Sequence, residues 1–292
     1  MASVQPLYYL LTVLATASSS DVEELIECPT CVFINETCFN VTHVLDLEAP
    51  FRNKVVIHKL SMLRADNTLF YAFEPRIEDP EYFKVGFINL DAQNISGIIT
   101  SDNPLNFGNF DIDQDNGVIY LGGSEGIYAL DTNANKLSSY SSRGDTITDV
   151  FFKNNVYFVK YHGLGITVKK GDNFRILLES TPVRLFVINK YDFIVFINNF
   201  GLHVAKGEST RRLSKNAFFR GLTMDLDGNI YAWWIDGIYR VFVDKNLNDS
   251  KVVKIADLPK IGALTFDNEN NMLFTSARSL YRLIKVEGLC KI

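Results

Sequence analysis

The chain has 292 residues, of which 47% are hydrophobic and 13% aromatic, and a net charge of −5. That much apolar material supports a large core and excludes a disordered chain. The mild negative charge, with no basic block, argues against the clustered cationic face that nucleic acid requires, and no polybasic stretch marks a membrane surface.

In chain order, residues 7–14 form a short apolar run interrupted only by Thr12. The small residues Ala15, Thr16, Ala17 and Ser18 follow, the pattern of a signal-peptidase site. Residues 1–18 are therefore predicted to be a signal peptide, too short to span a bilayer, and the protein to be secreted. Residues 19–52 form a cysteine-containing segment with Cys28, Cys31 and Cys38, and the fourth cysteine, Cys290, stands near the end of the chain. An even count in an exported chain predicts two disulfides, with three connectivities open. At least one bridge is expected to tie this segment to the C-terminus. Cys28 and Cys31 make a C-x-x-C, but neither a second ligand pair for zinc nor a βαβ pattern for redox chemistry accompanies it. N-glycosylation sequons begin at Asn35, Asn40, Asn94 and Asn248, so a glycoprotein is expected.

Residues 53–292 are organised by a repeat. The stretch 111–130, DIDQDNGVIYLGGSEGIYAL, has the plan of 224–241, MDLDGNIYAWWIDGIYRV. Each is an apolar strand end, a polar turn, a strand, a short loop, then Gly-Ile-Tyr opening a further strand. Weaker copies start near Met62, Val150, Leu185 and Leu264, which makes six. The residues Tyr128, Thr167, His203, Tyr239 and Tyr281 occupy one position of the repeat. A period of about 40 residues built only of strands predicts an all-β, six-bladed β-propeller of four-stranded antiparallel blades. The last blade lacks its outer strand and must be closed by an N-terminal one. Residues 53–60 resemble 250–258, the outer strand of blade five, and are assigned to that closure.

Propellers gather the loops between strands two and three, and those between blades, on one face over the central channel. Those loops carry aromatic and cationic residues. Phe107, Tyr161, His162, Phe200, Trp234, Arg184, Arg220 and Arg278 are the candidate ligand-binding residues. Flat rings with a few cations suit a small, planar, acidic, conjugated ligand. Trp234 is the leading candidate, because one of Trp233 and Trp234 must point away from the blade interior in a strand of period two. The acidic stretches Asp111–Asp113–Asp115 and Asp225–Asp227–Gly228 lack the bidentate Glu of a calcium loop and are read as turns. The histidines His43, His58, His162 and His203 do not cluster, and no catalytic motif is present. No metal, no cofactor and no catalytic residue is assigned; a monomer is expected.

Asp227 to Tyr231, DGNIY, resembles a turn of the lactonase and gluconolactonase propellers. That resemblance would imply a calcium-dependent hydrolase, but the Glu, Asn and Asp metal set of those enzymes finds no residue-by-residue match here. The signal peptide, the early cysteines, the aromatic repeats and Cys290 together resemble the ommochrome-binding proteins of insect haemolymph. This second resemblance implies a secreted, non-catalytic carrier of an ommatin-type, tryptophan-derived pigment. A lactonase- or esterase-like hydrolase and a protein-interaction propeller are the alternatives.

Overall fold

The computed structural model describes residues 31–34, 37–101 and 104–286. The signal-peptide segment, Cys28, Asn35 and Cys290 lie outside the described residues. The strands β1 (Cys31–Ile34) and β2 (Thr37–Asp46) come first. Blade one is β3 (Ile57–Leu63), β4 (Thr68–Phe73), β5 (Lys84–Asn89) and β6 (Ser96–Ile98). Blade two is β7 (Asn109–Asp113), β8 (Val118–Gly123), β9 (Gly126–Asp131) and β10 (Lys136–Ser141). Blade three is β11 (Ile147–Lys153), β12 (Asn155–Lys160), β13 (Ile166–Lys170) and β14 (Asn173–Leu177). Blade four is β15 (Leu185–Ile188), β16 (Ile194–Asn198), β17 (Gly201–Lys206) and β18 (Ser209–Ser214). Blade five is β19 (Gly221–Met224), β20 (Ile230–Trp234), β21 (Gly237–Phe242) and β22 (Lys251–Ala256). Blade six has β23 (Leu264–Phe266), β24 (Met272–Ser276) and β25 (Ser279–Lys285), with β2 and then β1 added outside β25. The first strands of the six blades contact one another in sequence, and β23 meets β3. The ring is a six-bladed β-propeller.

An N-terminal strand closes the ring, but it is Thr37–Asp46 and not 53–60. β2 pairs antiparallel with β25 from Phe39↔Lys285 to Asp46↔Ser279. The 57–60 stretch instead belongs to β3, the innermost strand of blade one, paired with β4. Burial explains the correction. Outer strands here are solvated, as β14 and β18 are, and the middle of β2 is exposed in the same way. β3 carries buried Ile57, Leu60, Met62 and Leu63, which only an inner position covers. Its likeness to 250–258 was one of alternation, and alternation alone does not separate an inner strand from an outer one.

The repeated residues have local reasons. Asp113, Asp225 and Asp267 each accept backbone N–H groups two and three or four residues on, which closes the turn between strands one and two. The Gly that opens strand three has positive φ at Gly126, Gly165, Gly201 and Gly237. At Gly126 a Cβ would lie 2.5 Å from both the Ser141 and the Ser142 carbonyl oxygens, so only glycine lets strand four approach there. The anchor residues of strand three pack on aromatic neighbours. Tyr128 meets Phe107 edge-on at 5.7 Å, Tyr239 meets Phe219 at 5.1 Å, and His203 stacks on Phe196 at 5.0 Å.

Candidate functional site

The innermost strands present one unpaired edge each to the axis and enclose a channel of about 410 Å³. That lies within the range of small-molecule sites, roughly 300–1,000 Å³. Four of the six blades enter it in the same way. The N–H groups of Gly108, Arg184, Arg220 and Gly262 donate to strand-two carbonyls of their own blades, those of Gly122, Ile197, Trp233 and Thr275, at 2.8–3.0 Å. The residues just before them, Phe107, Val183, Phe219 and Ile261, are buried between blades. The position is therefore one structural slot, filled by glycine in blades two and six and by arginine in the adjacent blades four and five. The propeller itself does not require arginine there.

Both guanidiniums line the channel. Arg184 Nη2 donates to the carbonyls of Ala217 and Phe219 at 3.0 and 2.9 Å, and Arg220 Nη1 to that of Ile261 at 3.0 Å. Neither forms an ion pair with a carboxylate among the described residues. Each keeps donors to spare, in a planar array suited to an acid group. Beside Arg220, Trp234 is half-buried and stacks on exposed Phe218, with centroids 5.7 Å apart and planes at 30°. The Arg220 guanidinium carbon lies 5.8 Å from the Trp234 ring centroid. Trp233, its neighbour in β20, points inward and donates from Nε1 to the Gly262 carbonyl at 3.1 Å.

Deeper in the channel the polar groups are paired. Lys59 Nζ donates to Asn109 Oδ1 at 2.6 Å and to the Val150 carbonyl at 3.1 Å, and it lies 3.8 Å from Asp149 Oδ1. Asp149 is 3% exposed and accepts the Phe186 N–H at 2.8 Å. Burial pushes its carboxyl up to about 6 against the opposing pull of Lys59. Asp111 accepts the Phe152 N–H at 2.7 Å and is likewise raised by burial. Both aspartates thus satisfy an N–H on the first strand of the following blade, which would otherwise face the channel unpaired. His58 donates from Nε2 to the Gly108 carbonyl at 2.6 Å, and burial holds its pKa below the ordinary imidazole value.

Of the residues read from sequence, the structure brings together Arg184, Arg220 and Trp234. Phe107 is a correction: it is 2% exposed, occupies the buried slot before the arginine position, and packs on Tyr128. Tyr161 and His162 are exposed and touch each other, with centroids 3.9 Å apart, on blade three. Phe200 is exposed at the blade-four loop. Arg278 ion-pairs with Asp46 of the closing strand at 3.2 Å. Asn40, Asn94 and Asn248 are exposed. Sequence reasoning missed Lys59, Asp111, Asp149 and Asn109 as channel residues. The available signal was a charge inside an otherwise apolar innermost strand, as in 147–153, ITDVFFK. No group of three or more His, Cys, Asp or Glu able to hold a metal occurs among the described residues. No helix among them is long and apolar enough to cross a membrane.

No model of a known protein family matches the chain. Among solved structures it is similar to a gluconolactonase from Xanthomonas campestris, with a TM-score of 0.62 at 10% identity, over 87% of this chain and 91% of that one. It is similar to virginiamycin B lyase from Staphylococcus aureus, with a TM-score of 0.55 at 12% identity, over 85% of this chain and 100% of that one. At such identities the likeness is one of fold. Among curated proteins it is similar to the ommochrome-binding protein of Manduca sexta, 20% identical over 280 residues, which cover 92% of this chain and 96% of the relative.

Proposed function

We propose that this propeller is a secreted, non-catalytic carrier that holds a small, planar, acidic pigment of the ommochrome class at the mouth of its channel. The observation that carries the reading is the pair of channel-lining guanidiniums, Arg184 and Arg220, without carboxylate partners among the described residues, with the Trp234–Phe218 stack beside Arg220. An acid group on the ligand would take the spare guanidinium donors, and its ring system would lie against the indole. The moth relative, named for binding an ommochrome, supports the class of ligand. Export, glycosylation at the sequons and a bridge between the N-terminal cysteines and Cys290 complete the reading. The Val286 N–H donates to the Cys38 carbonyl at 3.0 Å, so the closing strand runs beside the segment that leads to Cys290. The test is the visible spectrum and mass analysis of the protein purified from its native source. A coloured protein with a bound conjugated acid supports the carrier. A colourless protein that turns over lactones or esters overturns it in favour of a hydrolase. A colourless protein that co-purifies with a second polypeptide and binds no ommatin overturns it in favour of an interaction propeller.

A further inference from the structure

We infer that Asp149 sets the charge of this ligand site, so that binding of an anion at the channel mouth is coupled to uptake of a proton by the Asp149 carboxylate. The inference rests on the channel-mouth reading above and adds its regulation. Asp149 lines the same channel as the two guanidiniums, is almost wholly buried, and lies within electrostatic reach of Arg184. Charged groups face it from each element of the channel wall around it. Lys59 comes from β3, Asp111 from β7, and Arg184 from the start of β15. Lys160, at the end of β12 in its own blade, is occupied with Asp145 at 2.7 Å. While ionised, Asp149 offsets part of the positive field that an arriving anion needs. Once protonated, it leaves Lys59 and Arg184 unopposed by that charge.

The other channel groups that titrate act in the same sense. Burial raises Asp111 as it raises Asp149, and a proton on His58 adds a positive charge. Acidification therefore only makes the channel more positive. The window is set by Asp149, whose carboxyl titrates near 6. By linkage, an anion that binds more tightly to the protonated form must raise that pKa when it binds.

The probe is 8-anilinonaphthalene-1-sulfonate, an aromatic fluorescent anion whose sulfonate keeps its charge throughout the range. Its affinity for the full chain is measured from about pH 5 to about pH 8, with a circular dichroism check of the fold at each pH. The expected result is binding on the order of ten-fold tighter at the acid end. Calorimetry in two buffers of different ionisation enthalpy should show fractional proton uptake near pH 6.5. Asp149→Asn should hold the affinity near the tight limit and remove most of the pH dependence and of the uptake near pH 6.5. Should that variant fail to fold, Lys59→Met gives a second reading: without the opposing cation, the window moves to higher pH. A flat wild-type profile, or an unchanged one in either variant, overturns the proton coupling. An Arg184→Gln/Arg220→Gln variant separates the two claims. If it binds the probe as wild type does, the channel-mouth reading itself fails; if it loses affinity while the wild-type profile is flat, only the coupling fails.

Discussion

Replacing Gly126 by alanine tests the physical reason for the repeat. Gly126 has φ of +99° and opens strand three of blade two, where the pairing of β9 with β10 shifts register between Ser139 and Ser141. A non-glycine residue held at such φ costs about 1–3 kcal/mol. The new methyl carbon would also stand 2.5 Å from two carbonyl oxygens, those of Ser141 and Ser142. Relieving that contact displaces the end of strand four and weakens a hydrogen bond or two, at roughly 1 kcal/mol each. The sum is roughly 2–5 kcal/mol, or a fall in Tm of about 5–15 °C for a domain of this size. Gly228→Ala is the control. Gly228 has φ of +84°, but nothing lies within 4 Å of its Cβ position. It should lose only the backbone contribution, about 1–2 kcal/mol. Urea unfolding followed by circular dichroism measures both. Equal losses in the two variants would refute the claim that glycine recurs because strand four must approach.

Leu45→Ala should cost about 2–5 kcal/mol because Leu45 is buried in the closing strand, while exposed Val41→Ala in the same strand should cost under about 1 kcal/mol; urea midpoints decide between this and an unpaired N-terminal segment. Trp234→Ala should weaken binding of a planar anion by about ten-fold or more through loss of the stack, read by ligand fluorescence, and should cost about 1–2 kcal/mol of stability because the ring also packs on the core. The Asp149 carboxyl is raised from 3.8 to about 6 in the folded protein, so it favours folding below about pH 4 and loses that contribution as pH rises through about 6. The stability difference between Asp149→Asn and wild type should accordingly shift toward the variant by roughly 3 kcal/mol between about pH 4 and pH 8, and a pH-independent difference would contradict the buried carboxylate.

The fold was legible because blade geometry leaves marks on local sequence. The turn after strand one needs Asp225 or its equivalents, and the start of strand three needs Gly126 or its equivalents, so both recur. The closing strand was legible as a necessity but not as a segment. Its partner β25 is distant in sequence, and β2 alternates no more clearly than β3 does. Part of the site was legible by loop position, since Arg184, Arg220 and Trp234 fall where the repeat puts residues near the channel mouth. Phe107 could have been excluded by the same repeat. It holds the slot of Phe219 and Ile261, one residue before the channel-facing position, and that slot is core in every blade where the hydrogen bond marks it. Lys59, Asp111 and Asp149 were hidden for a physical reason. Their hydrogen bonds and ion pair join residues 37 to 91 apart in sequence, in different blades, and only the ring brings them together.

The central claim is that Arg184, Arg220 and Trp234 hold a planar acid at the channel mouth. An equilibrium titration of the full chain with an ommatin, followed through the pigment's visible band and quenching of tryptophan fluorescence, tests it most directly. Saturable one-to-one binding is expected, weakened by about ten-fold or more in the Arg184→Gln/Arg220→Gln variant, whose fold is checked by circular dichroism because the substitutions also remove the hydrogen bonds to the Ala217, Phe219 and Ile261 carbonyls. Absence of binding in the wild type, or equal affinity in the two proteins, would contradict it.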